Sequence, residues 1–398
     1  MTMLKRNDGF TLVELLIVMV LLVVVLAIAS DSFRTVVRAS STQTRIAETQ
    51  METNIGLQML KTDIEGAGLG LPWAFQKSIS YNEVAANQPS GYPVSGSIYN
   101  DSTANVPRAL ICGDSVGFNN SDYIVIKSVL SIGNPSQRWS YVQANFTAMT
   151  WGASDISGNL AAADQAIVIR PQSSETAFRQ LIMTSSTTFS DSFSNMGGGT
   201  LPVQSGDIIY GINSAALRMP FNRTDYYVDK PAAMPALCAP GTGVLYKATV
   251  NHTDGNYTLY PVFDCVVAMK VIVGLDMNQN GIVDIYATGL SGTGVGGSVS
   301  NVTSSNLETL LTTPTSAQVQ AVLTDPALLR NQLKEVRIYI LAHEGRRDPD
   351  YTYPSNLVPL GEFTGGFTRS VNLATLVGTD WPHYRWKVYR IVVKMNNL

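Results

Sequence analysis

The chain has 398 residues, a formal net charge of −3 and only 14% charged residues, where soluble globular proteins carry roughly 25%. That length allows one large domain or two ordinary ones. The absence of any basic block excludes a nucleic-acid footprint, and three cysteines (Cys112, Cys238 and Cys265) are too few for a disulfide scaffold and fit no zinc spacing. The abundance of small, hydroxyl and amide residues fits an extracytoplasmic surface.

Met1 to Gly9 is a short polar leader containing Lys5, Arg6 and Asp8. From Phe10 to Ala29 runs FTLVELLIVMVLLVVVLAIA, in which Glu14 is the only charge. Twenty residues at 1.5 Å each make a helix of about 30 Å, enough to cross a hydrocarbon core. A secretory signal would have a shorter apolar stretch followed by a small-x-small cleavage site. Here the run continues into helix-compatible sequence, so it reads as an anchor. A carboxylate inside a spanning helix costs about 2.5–3.5 kcal/mol, so Glu14 calls for a partner.

Ser30 to Glu65 contains no proline and one glycine, Gly56. Apolar residues recur at Phe33, Val37, Met51, Ile55 and Met59, with Leu57, Leu60 and Ile64 beside them, and Lys61 can pair with Glu65. Gly66, Gly68, Gly70 and Pro72 stop the helix. Beyond it, strands are expected at Tyr123–Val129, Gln165–Ile169, Asp207–Ile212, Leu245–Val250, Cys265–Leu275, Ile282–Tyr286, Val336–Ala342 and Tyr384–Lys394. Loops dense in Ser, Thr, Asn and Gly separate them. Asp325-Pro326 reads as an N-cap with proline at N1, opening a short helix. The fold class is therefore α+β: a long N-terminal helix, transmembrane then packed, with a large mostly antiparallel β-sheet domain. The expected division is leader 1–9, transmembrane segment 10–29, continuation of the helix 30–66, and one globular domain 67–398.

Gly9-Phe10-Thr11-Leu12-Val13-Glu14-Leu15 resembles the cleavage and methylation motif of type IV prepilins. The resemblance implies cleavage by a membrane prepilin peptidase between Gly9 and Phe10, N-methylation of Phe10, and docking of Glu14 onto the N-terminal amine of a neighbouring subunit. A charge pair in low dielectric is worth far more than one in water. Lys5 and Arg6 precede the span while Arg34 and Arg38 follow it, so the charge count leaves orientation open. The resemblance implies a cytoplasmic leader and a periplasmic bulk. Met59 to Gly68, Val273 to Asp276 with Gly281 to Tyr286, Glu335 to Leu341, and Tyr384 to Asn396 resemble segments of PilW-type minor pilins, in the same order. What this implies is a minor pilin that primes assembly at or near the filament tip. Its partners would be other minor pilins, the major pilin, the inner-membrane assembly platform and a large tip adhesin. It would start as an inner-membrane precursor and end in the pilus at the cell surface. The alternative within the family is a J-type pseudopilin of type II secretion.

Enzyme signatures are weak, and no catalytic residue is assigned. Gly292 to Gly297 matches G-x-G-x-x-G but is followed by a Ser/Thr-rich stretch that opens no helix. His343-Glu344 lacks the second histidine of a zincin, and His252, His343 and His383 are widely spread. A membrane-anchored periplasmic hydrolase is the alternative of another class. In an oxidising compartment three cysteines allow three single bridges; Cys238–Cys265 is the expected one, with Cys112 free and buried. Asp276, Asn278, Asn280, the Ile282 carbonyl and Asp284 stand at positions 1, 3, 5, 7 and 9 of an EF-hand-type loop, with Gly281 at 6, but Ala287 occupies position 12. Ca2+ is thus a candidate ligand, and a plain turn around Asn280-Gly281 is the competing reading.

Overall fold

The computed structural model describes residues 11–101, 105–130, 139–141, 160–174, 178–196, 201–291, 298–299, 302–304, 314–362 and 367–398. The chain divides into two compact units, Met1–Met51 and Glu52–Leu398. One helix, Leu12–Glu65, contributes to both, so its last turns belong with the globular unit and do not form a separate segment. In the first unit, Leu12–Arg34 has a mean hydropathy of 3.3 and no buried residue. This is the pattern of a span that meets its apolar environment from outside.

In the second unit the end of the helix lies on a large sheet. Leu60 and Ile64 are fully buried against Leu245, Phe263, Val266 and Tyr389. Asp63 receives Lys247 at 2.6 Å and the Tyr226 hydroxyl at 2.6 Å. Gly56, the lone glycine of the helix, sits where a Cβ would stand 2.2 Å from the Val262 carbonyl oxygen. Only glycine lets the helix and strand backbones approach this closely.

Eleven strands among the described residues make the large sheet. Leu110–Gly113, Tyr123–Ser128, Asn222–Asp229, Gly243–Val250 and Tyr257–Leu275 follow one another by antiparallel pairing. Tyr257–Leu275 pairs with Gly243–Val250 through its first half and with Leu333–Glu344 through its second. Arg385–Lys394 extends the sheet along Leu333–Glu344, from Glu335↔Lys394 to Glu344↔Arg385. Ile285–Thr288 pairs with the end of the long strand, and after Gly289 the chain pairs Leu290 with Gly113 of the first strand. The path of pairings therefore returns to its start. A Cβ on Gly289 would lie 2.4 Å from the Cys112 carbonyl oxygen, so glycine permits this closure.

A second sheet centres on Gln165–Gln172, flanked by Phe178–Leu181 and Ile208–Asn213. A third, two-stranded sheet joins Leu357–Leu360 to Arg369–Asn372. The architecture is α+β and mostly antiparallel, as composition and alternation imply.

The boundaries differ where polarity misleads. Asn222–Asp229 (NRTDYYVD) is a central strand with seven buried residues, and sequence reading leaves it out because it carries two acids and an arginine. Leu110–Gly113 is likewise missed, being only four residues long. The strand expected from Ile282 begins at Ile285, because the turn residues before it are held by Asp284 and Asp276. The helix expected after Asp325 is Pro326–Gln332, with the Asp325 carboxylate accepting from Ala327 and Leu328. A preceding helix, Ser316–Thr324, opens on a Thr315/Gln318 capping box that sequence reading overlooks.

Six charges lie together in this unit, almost without solvent. Lys127 and Arg223 stand opposite each other in neighbouring strands, where like charges repel. Glu83, Asp101 and Asp225 interleave them, and Arg108 completes a set of three cations and three anions. Arg223 holds Asp225 through Nε and Nη2, each at 2.8 Å. Tyr123 donates to the same carboxylate at 2.8 Å, and Tyr257 donates to it as well. Glu83, Asp101 and Arg108 come from a long stretch with little regular structure, so the charges fasten coil to sheet.

Candidate functional site: the amino-terminal segment

Gly9 and Phe10 lie outside the described residues. The helix begins just after them, and its first turn shows what Thr11 and Glu14 do locally. The Glu14 N–H donates to the Thr11 hydroxyl oxygen at 3.2 Å, and the Thr11 N–H donates to Glu14 Oε2 at 3.2 Å. This is a reciprocal capping box, which satisfies two donors that a helix start would leave unpaired. Thr11-Leu12-Val13-Glu14 carries the T-x-x-E pattern of this cap in its sequence. Glu14 Oε1 makes no bond among the described residues, so one carboxylate oxygen remains for a ligand from outside. The arrangement therefore does two things: it starts the helix at Leu12 and places a negative group two residues inside the span.

The other expected site residues lie in the globular unit. Cys238 and Cys265 are joined, with sulfurs 2.01 Å apart, and Cys112 is free and buried. Burial raises the Cys112 thiol well above the ordinary thiol range. Cys265 has φ +58° at the point where the long strand changes partner, so the bridge fixes a bulge in a left-handed conformation. His343 packs beside the bridge. Its Nε2 accepts the Ala239 N–H at 2.9 Å, and its ring lies 4.7 Å from Tyr384 and 5.1 Å from Trp386. Burial holds its pKa down at about 4, so it is a neutral core residue at pH 7. His343 and Glu344 stand on a strand, not on the helix a zincin needs. The Gly292–Gly297 run lies outside the described residues.

In the Asp276–Asp284 loop, the two oxygens of Asp276 accept from the Asn280 and Gly281 amides at 3.0 and 2.7 Å. Asp284 accepts the Met277 and Asn278 amides, Asn278 Oδ1 accepts that of Asn280, and Asn280 Oδ1 that of Ile282. The side-chain oxygens counted for calcium thus already hold the loop together. Ala287, at position 12, is paired in a strand with Val273 and supplies no side-chain oxygen.

Residues 4–30 match the prokaryotic N-terminal methylation motif. Over those residues the amino terminus is similar to that of prepilins. The match takes in the polar stretch before Phe10 and the apolar run after it, and the helix described from Leu12 has Glu14 in its first turn. Among curated proteins, none matches the chain. Among solved structures, a type IV-like pilin from Thermus thermophilus aligns with 88% of this chain and 97% of its own, at 10% identity and a TM-score of 0.28. That score is too low to carry the neighbour's architecture over.

Proposed function

We propose that the chain is a PilW-type minor pilin, cut between Gly9 and Phe10 by prepilin peptidase, methylated at Phe10 and built into a type IV pilus at or near its tip. The observation that carries this reading is the methylation-motif match at 4–30, whose residues from Leu12 on lie on a helix that runs to Glu65, in a chain with a large globular unit. A head of some 350 residues suits a subunit present in few copies better than one repeated densely along a slim fibre. The binding role is structural: the span anchors the precursor in the inner membrane and then joins the filament core, with the bulk periplasmic. Other minor pilins, the major pilin and the assembly platform are the partners this requires, and a tip adhesin is a further one.

The test is deletion of the gene followed by shearing of surface filaments. Loss of filaments, restored by the wild-type chain and with that chain present far below the major subunit, supports priming. Filaments of normal number without the protein contradict it, and normal filaments with lost protein secretion indicate the J-type pseudopilin.

A further inference from the structure

The buried charge cluster holds one contact unlike its other ion pairs. Lys127 is 0% exposed, and its Nζ lies 2.7 Å from Glu83 Oε2 and 2.7 Å from Asp101 Oδ2. The Phe221 ring covers it, with the centroid 5.5 Å away. An amine and two carboxylates are thus held in contact in a dry interior. We propose that Lys127 and Asp101 condense into an intramolecular amide, with Glu83 carrying the proton.

Glu83 takes a proton from the Lys127 ammonium, and the freed nitrogen attacks Cγ of Asp101. The negative charge that develops falls on Oδ1, which already receives Arg108 Nε at 2.7 Å; a fixed donor at that atom is what lowers the barrier of acyl chemistry. The Nζ–Cγ bond forms and the Cγ–Oδ2 bond breaks. Two of the three ammonium protons leave with Oδ2 as water, one of them by way of Glu83, and the third stays on the amide nitrogen. Glu83 ends as it began, and no electrons are exchanged with any other group.

The donor on its oxygen favours Asp101 as the acyl partner, since Arg108 Nε stands 2.7 Å from Oδ1. Glu83 is tied to Arg223 at 2.9 Å and accepts the Asp101 N–H at 2.6 Å. Holding the reacting groups in contact replaces a bimolecular encounter by an internal one. Burial raises the Asp101 pKa, but Lys127 and Arg108 outweigh it and hold the carboxyl below its ordinary range. The reaction therefore runs through a minor neutral pair and is slow. Its product is better suited to the site. Buried ions carry a desolvation cost, and condensation removes one cation and one anion, leaving Arg108 and Arg223 against Glu83 and Asp225. The bond would tie the irregular segment around Asp101 to the strand Tyr123–Ser128. This inference does not depend on the pilin reading.

The experiment is a peptide map of the purified full-length protein, reduced, alkylated and cut with trypsin. Trypsin does not cleave after an amidated lysine. The expected product is peptide 78–108 joined to peptide 109–138, one water lighter than their sum, with fragmentation placing the link on Asp101. Lys127→Arg keeps the cation but cannot condense, and should give linear 78–108, 109–127 and 128–138 peptides at full mass. A linear 109–127 peptide ending at Lys127 as the main wild-type product, or a link on Glu83, overturns the proposal.

Discussion

The two units bury opposite things. In Leu12–Arg34 every side chain faces outward, and the one carboxylate inside the apolar run is half spent on starting the helix. In Glu52–Leu398 the interior holds apolar clusters and also six charges with at most 6% exposure in each salt-bridged side chain. An apolar helix with nothing folded over it gets its stability from an environment outside the chain, so its sequence advertises that environment. A globular unit that satisfies its own polar groups advertises nothing outside itself. This is why the function is read from the amino terminus and the fold from the remainder.

The comparison breaks first at Glu14. Glu14→Val removes both the charge and the cap, whereas Glu14→Gln removes the charge and keeps an oxygen for the Thr11 amide, since glutamine also serves in a capping box. Both variants should insert in the membrane, at a gain of up to about 3 kcal/mol for the valine, and both should be lost from sheared filaments. Incorporation of the glutamine variant at the wild-type level would show that the cap, not the charge, is what the filament needs.

Arg223→Met sharpens the other side. It leaves Asp225 and Glu83 buried without their guanidinium, and breaking a buried pair costs about 3–5 kcal/mol. Urea unfolding of the detergent-solubilised chain should show a loss of that order. A loss under about 1 kcal/mol, the range of an exposed pair, would mean the cluster is wet.

Acid should weaken the globular unit through its buried histidines. His343 and His252 both have pKa values lowered to about 4, by burial first. The unfolded chain takes up these protons near pH 6.5 and the folded chain only near 4, so stability present above pH 6.5 is lost as pH falls through that window. Asp122, raised to about 6 mainly by burial, works in the opposite direction between pH 6 and 4 and offsets part of the loss. His343→Gln should therefore flatten the decline of the unfolding free energy between pH 6.5 and 4, by an amount on the order of 1–3 kcal/mol. An unchanged slope would contradict a neutral His343.

The smallest effect is expected at the Asp276 loop. Asp276→Ala leaves the Asn280 and Gly281 amides without their acceptor, at about 1–3 kcal/mol. The loss should be the same in calcium and in chelator if the loop is a turn. A calcium-dependent rise in wild-type melting temperature that the variant abolishes would establish an ion there.

What could be read in advance follows the same division. The apolar run, its charge and the Gly9-Phe10 pair stand close together in sequence, so a short motif carries them. The strands at Tyr123–Ser128 and Leu333–Glu344 were legible because apolar, β-branched residues dominate them. Asn222–Asp229 was not, because its Arg223 pairs with Glu83 and its Asp225 accepts from Tyr123 and Tyr257, all far away in sequence. A signal was available in the alternation of Arg223 and Asp225 beside Tyr226-Tyr227-Val228, two charges on one face of a strand-forming run. The Thr11–Glu14 cap was legible too, but the cost of a membrane carboxylate was weighed before its local bonds.

The central claim rests on processing, and the mass of the amino terminus tests it most directly. Protein extracted from membranes of a host with active prepilin peptidase should begin at Phe10, with residues 1–9 gone and the new amine methylated. Replacing Gly9 by a bulky residue should leave the precursor uncut in the same membrane. A wild-type chain that still starts at Met1 in that host would contradict the account.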